Sequence, residues 1–109
     1  RLILADALHY GQQFNPRCFI DLATLTGACM VALGSVRAGL FSNQDELCGK
    51  VLQASEAAGE RLWRLPLDDD YRKEIESPVA DLKNIGSRWG GAITATKFLQ
   101  EFVGNTPWC

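Results

Sequence analysis

The chain has 109 residues, 47% of them hydrophobic, and its eleven basic and thirteen acidic side chains leave a formal charge of -2. That length and apolar share fit one small domain or a piece of a larger one, and they exclude a multidomain assembly or a disordered chain. Near-neutral charge argues against a nucleic-acid partner, and no run of about 18 apolar residues is present to span a membrane.

The apolar spacing predicts a first helix from Leu2 to about Phe14, with Leu4, Ala7, Leu8 and Gly11 on one face. Its first two turns are apolar almost all round, so a buried helix is expected, ended by Asn15-Pro16. Cys18–Ala23, interrupted only by Asp21, reads as an interior strand. Thr24-Leu25-Thr26-Gly27 makes a tight connection to a small-residue helix, Ala28–Leu33, which Gly34 can stop. A short strand follows at Ala38–Phe41. An amphipathic helix is expected over Asp45–Ala58, with Leu47, Val51, Leu52 and Ser55 inward and Gly59 as its stop. Arg61–Leu65 alternates like a half-buried strand up to Pro66. Asp69–Ile75 starts with acidic residues, as a short helix would. Ser77–Arg88 is polar and irregular. A final helix, Ala92–Val103, carries Ala95, Phe98, Leu99 and Phe102 on its apolar face. Helices alternating with few, short strands predict an α/β fold: a partial mixed β-sheet covered by helices.

Arg1 in place of a methionine, and the close on Trp108-Cys109, read as a processed or partial sequence. Asp6 breaks the opening apolar residues, so they do not form an export signal. Cys18, Cys29, Cys48 and Cys109 are scattered without a C-x-x-C pair, and His9 is the only histidine. This spacing argues against a self-contained zinc site and for free thiols in a reducing compartment.

Chemistry is best sought at Thr24–Gly27, where two hydroxyls and a glycine end a predicted strand and open a helix. Ligands of open α/β sheets bind outside the carboxyl ends of strands, and glycine permits close approach to the backbone. From spacing alone, a plain helix cap by Thr24 or Thr26 is the favoured reading. Gly90-Gly91 lacks the following Lys-Ser or Lys-Thr of a phosphate loop, so close packing is the expected use. Asp6 with His9, or Asp6 with Asp21, are weak candidate pairs. Trp63, Trp89 and Trp108 read as core or subunit-contact residues, because interleaved basic residues are too few for single-strand binding.

Several blocks, taken together, resemble the leucyl aminopeptidase (cytosol aminopeptidase) family. Arg1-Leu2-Ile3-Leu4-Ala5-Asp6-Ala7-Leu8 is similar to the second half of the family signature. Ile20–Ala28, Ala38–Asn43, Trp63–Leu67, Ala80-Asp81 with Asn84, and Gly91–Ala95 with Phe98-Leu99 resemble later blocks in the same order. The likeness runs the whole chain, so residues 1–109 are expected to be part of a C-terminal catalytic (peptidase) domain. The resemblance implies a metalloaminopeptidase that removes N-terminal residues from peptides with two divalent ions, manganese or zinc. It implies a cytoplasmic homohexamer. Arg1 matches the arginine that holds a bicarbonate, the acceptor of a proton from the attacking water. Thr24, Leu25 and Gly27 match positions lining the substrate cleft.

The metal-binding Asp and Glu of the signature would immediately precede Arg1, and further ligands lie upstream. None of Asp6, Asp21 or Asp81 is promoted to replace them, so the 109 residues are expected to be inactive alone. Cys109 also stands where the family's Trp-Ala-His-Leu-Asp strand has alanine. A different class of function, a metal-free structural or DNA-associated subunit of the same fold, is the alternative.

Overall fold

In the computed structural model, which describes residues 1–109, a strand–helix–strand unit stands at the centre. β1 (Ala38–Leu40) and β2 (Leu62–Arg64) pair in parallel, with Ala38 opposite Leu62, Gly39 opposite Trp63 and Leu40 opposite Arg64. Parallel neighbours need a crossover, and α3 (Asp45–Ala58) supplies it. Asp45 and Glu46 in its first turn complement the helix dipole, and Gly59 ends it with a φ of 73°, where glycine has no Cβ to strain.

Successive strand residues face opposite ways, so Gly39 and Leu40 meet different helices. Leu40 packs with Cys48 of α3 and with Cys109, bordered by half-buried Leu47, Val51, Leu52 and Leu62. Gly39 meets α2 (Ala28–Leu33): a Cβ there would stand 2.7 Å from Cys29 Sγ and 3.7 Å from Leu33 Cδ1. Helices therefore cover both faces of this partial sheet, as an α/β fold requires.

The strand expected over Cys18–Ala23 is reduced to one parallel bridge between Phe19 and Trp108. The Phe19 N–H donates to the Pro107 carbonyl at 2.7 Å, the Cys109 N–H to Phe19 at 3.0 Å, and the Asp21 N–H to Cys109 at 2.9 Å. Ile20 and Leu22 are exposed despite their apolar character. On its other side this segment meets the end of β1, where the Asn43 N–H donates to the Trp108 carbonyl at 3.2 Å.

The main core forms around α4 (Gly91–Gln100). Phe98 and Leu99 pack there with Ala5 and Leu8 of α1 (Leu2–Gly11), Ile75, Val103 and Trp108. Burial exceeds the expected stripe: every residue from Thr94 to Leu99 is buried, Lys97 included. The Lys97 ammonium donates to an Asp69 carboxylate oxygen at 2.7 Å and to the Leu67 carbonyl at 3.4 Å. The helix stops at Gln100 instead of Val103, and a turn carries half-buried Phe102 and buried Val103.

α1 departs from expectation twice. The α-helix ends at Gly11 and tightens into a 3-10 turn, Gln12–Phe14, before Asn15 takes a left-handed φ of 49°. Only Ala5 and Leu8 are buried, while Leu2, Ile3 and Tyr10 lie exposed, because the α4 core covers one side of this helix alone. Asp69–Ile75 forms a 3-10 helix whose last residue, Ile75, is fully buried.

Candidate functional site

Arg1 stands at the start of α1, where the Ala5 N–H closes the first turn on the Arg1 carbonyl at 2.9 Å. No side chain caps this end. As at any helix start, the first-turn N–H groups have no intrahelical acceptor and carry the positive end of the helix dipole. The Arg1 guanidinium donates from Nη1 to the Asn84 carbonyl. Arg1, Leu2, Ile3, Asn84 and Ile85 line an open depression of about 490 Å³. A guanidinium carries five N–H donors, so most remain available beside the helix end. Such a pairing of planar cation and helix N-terminus suits a small carboxylate-like anion.

The second candidate is the turn into α2. Thr26 performs the capping role: its Oγ1 accepts the Ala28 N–H at 3.2 Å. Thr24 is exposed, and Leu25 is half-buried against the main core. Gly27 has an ordinary helical φ of -63°, and a Cβ there would meet nothing within 4 Å. Neither backbone strain nor packing within these residues asks for glycine at that position. Gly91 differs: its Cβ would lie 3.3 Å from that of Ala28, so the Gly90-Gly91 corner is used for close packing of α4 on α2. Thr24, Leu25 and Gly27 do not line the depression at Arg1.

No three His, Cys, Asp or Glu side chains gather in a way that could hold a metal ion. Asp6, His9 and Asp81 are exposed, and none of them joins an ion pair. Asp21 accepts the indole N–H of Trp108. Burial raises its carboxyl pKa, with that hydrogen bond opposing the shift. The pairing of Asp6 with Asp21 thus gives way to a structural contact. The four cysteines are free thiols, and burial pushes Cys109 up to about 11, which keeps it protonated. Of the tryptophans only Trp108 is core; Trp63 and Trp89 are exposed, each beneath an arginine, Arg37 and Arg88 respectively.

Sequence reasoning missed two groups near these sites. Asn84 was legible only as part of a matching block, because its carbonyl, not its side chain, meets Arg1. Glu74 accepts the Ser87 N–H at 2.9 Å, a contact across an irregular loop that leaves no periodic trace.

The model of the cytosol aminopeptidase family, catalytic domain, matches residues 1–109. The chain belongs to the cytosol aminopeptidase family. A protein named probable cytosol aminopeptidase from Koribacter versatilis is 57% identical over 108 residues, covering 99% of this chain and 21% of that protein. Its namesake from Brucella melitensis is 60% identical over 109 residues, covering 99% of this chain and 22% of its own length. Among solved structures, a mutant of tomato leucine aminopeptidase matches with a TM-score of 0.93 and 49% identity, over 96% of this chain and 21% of that one. The chain therefore spans about a fifth of the length of the curated relatives it matches.

Proposed function

We propose that residues 1–109 form part of the C-terminal catalytic domain of an aminopeptidase that hydrolyses N-terminal residues from peptides. The observation carrying this reading is the unbroken match of the whole chain to the family's catalytic-domain model. Its substrates are peptides, its setting the cytoplasm, and its assembly a homohexamer; no helix here is long and apolar enough to cross a membrane. Exposed Trp63 and Trp89 supply apolar surface for contacts with other parts of such an assembly.

The two metal ions of this reading, manganese or zinc, find no donor set among these residues. Their ligands belong to other parts of the parent polypeptide, and the 109 residues alone are inactive. A bicarbonate fits better, because the Arg1 guanidinium at the start of α1 offers paired donors to one small anion. When bound, that anion supplies a base for the proton of the attacking water. Arg1 holds and orients it, and the Asn84 carbonyl restrains the guanidinium in turn. Thr24, Leu25 and Gly27 line the substrate cleft. The empty space around Gly27 supports this, since a side chain there would occupy room a substrate backbone can use.

The test compares two polypeptides on a leucyl chromogenic amide with manganese or zinc added. One is this chain, and the other extends it to the length of its relatives. Turnover is expected from the extended form only. Appreciable turnover by the 109 residues would refute the placement of the metal ligands. In the extended form, Gly27→Val is expected to raise KM for the amide about tenfold or more by filling the cleft; an unchanged KM removes Gly27 from it.

A further inference from the structure

We propose that Glu74 is a positioning residue for Arg1, acting through the Asn84–Ser87 turn. This rests on the reading of Arg1 as an anion clamp. The loop after Ile75 carries few apolar anchors where it passes Arg1: Ile85 is 66% exposed. Its position is set instead by two backbone donors that flank Asn84. On one side the Lys83 N–H donates to the Ile75 carbonyl at 2.9 Å. On the other the Ser87 N–H donates to Glu74 Oε2 at 2.9 Å. Both acceptors belong to the last two residues of the 3-10 helix, which is pinned by fully buried Ile75.

Gly86 makes the close approach possible. A Cβ there would stand 3.2 Å from the Glu74 Cβ, 3.3 Å from the Glu74 carbonyl oxygen and 3.3 Å from the Thr94 Cβ of α4. The turn is thus pressed onto Glu74 and the core helix, and the Asn84 carbonyl is presented to the guanidinium as a fixed acceptor. The Ser87 N–H holds the Glu74 carboxyl below its usual pKa range, with Lys83 adding to the shift, so the acceptor is a full carboxylate. A charge-assisted hydrogen bond of this kind is about twice as strong as a neutral one. Losing it frees the turn, loosens the acceptor on Arg1 and lets the guanidinium swing away from the anion.

The experiment uses the full-length polypeptide and bicarbonate itself, in bicarbonate-depleted buffer. Calorimetric titration gives the bicarbonate Kd, and kinetics on the leucyl amide give kcat and KM separately. Glu74→Ala is expected to weaken bicarbonate about tenfold, to restore kcat at saturating bicarbonate, and to leave KM for the amide unchanged. Glu74→Gln keeps an acceptor without the charge, so its Kd is expected to rise only about threefold. Should Glu74→Ala fail to fold, Glu74→Gln carries the test alone. A native Kd in both variants, or a kcat loss that bicarbonate does not restore, overturns the proposal. Arg1→Ala separates the two readings. If it abolishes bicarbonate binding while the Glu74 variants bind natively, the clamp stands and the positioning role falls. If it too binds natively, the clamp itself is wrong.

Discussion

Replacing Gly39 by alanine sets two known effects against each other. Glycine in a strand interior costs backbone entropy, so alanine on an open strand would gain roughly 0.5–1 kcal/mol. Here the new methyl would stand 2.7 Å from Cys29 Sγ and 3.1 Å from Leu65 Cδ1. The leucine methyl is the end of a flexible side chain and can turn away. Cys29 Sγ is one bond from Cβ on α2, so it clears only by changing its χ1 rotamer or by moving the helix. Overpacking of this kind costs about 1–3 kcal/mol, so the clash wins and the variant is destabilised by about 1–2 kcal/mol. For a chain of this length that lowers Tm by about 4–12 °C. Thermal unfolding followed by tryptophan fluorescence measures it. Cys29→Ala removes the opposing sulfur, and the double variant is expected to recover at least half of the loss, with a coupling energy of about 1 kcal/mol. Simple additivity of the two substitutions would refute the account of how α2 sits on β1.

Two further outcomes follow from buried polar groups. Burial raises the Asp21 pKa, so the stability linked to its proton is present below the unfolded value and lost as pH rises through the folded one. Asp21→Asn keeps an acceptor for Trp108, so its Tm should match the native one near about pH 3 and exceed it at neutral pH; a lower Tm at neutral pH counts against this. Lys97 is buried along its whole stem, so Lys97→Ala should cost about 2 kcal/mol or more through the cavity left in α4. Lys97→Met fills that space and removes only the donor to the fully exposed Asp69 and the long contact to the Leu67 carbonyl, so it should lose clearly less than Lys97→Ala; equal losses in both variants would disprove the packing role.

Much of the local structure was legible because single residues carry it. Gly34 and Gly59 end their helices with positive φ, and such stops stand out in a sequence. Thr26 was readable as a cap for the same reason: the hydroxyl and the N–H it accepts are two residues apart. What failed to show depends on distant partners. Phe19 pairs with Trp108, and nothing near Cys18–Ala23 reveals a partner so far along the chain. The apolar start of α1 suggested burial, yet which side is covered is decided by α4. Lys97 was hidden because helical periodicity assigns a lysine to solvent, whereas Asp69 and Leu67 satisfy its ammonium inside. At the candidate site, neither Arg1's anchor on Asn84 nor Glu74's hold on Ser87 leaves a spacing to read.

The placement of Pro107–Cys109 between Phe19–Asp21 and Asn43 bears on how the chain is made. A ribosome delivers the outer two segments long before the one that joins them. Until then Phe19 and Asn43 have no ladder between them, and the backbone N–H groups of Phe19 and Asp21 wait without the acceptors they later meet. Closing such a long loop is slow, and the waiting edge invites association with other nascent chains. The order in which these segments interleave thus leaves their backbone groups unpaired until Pro107–Cys109 is made.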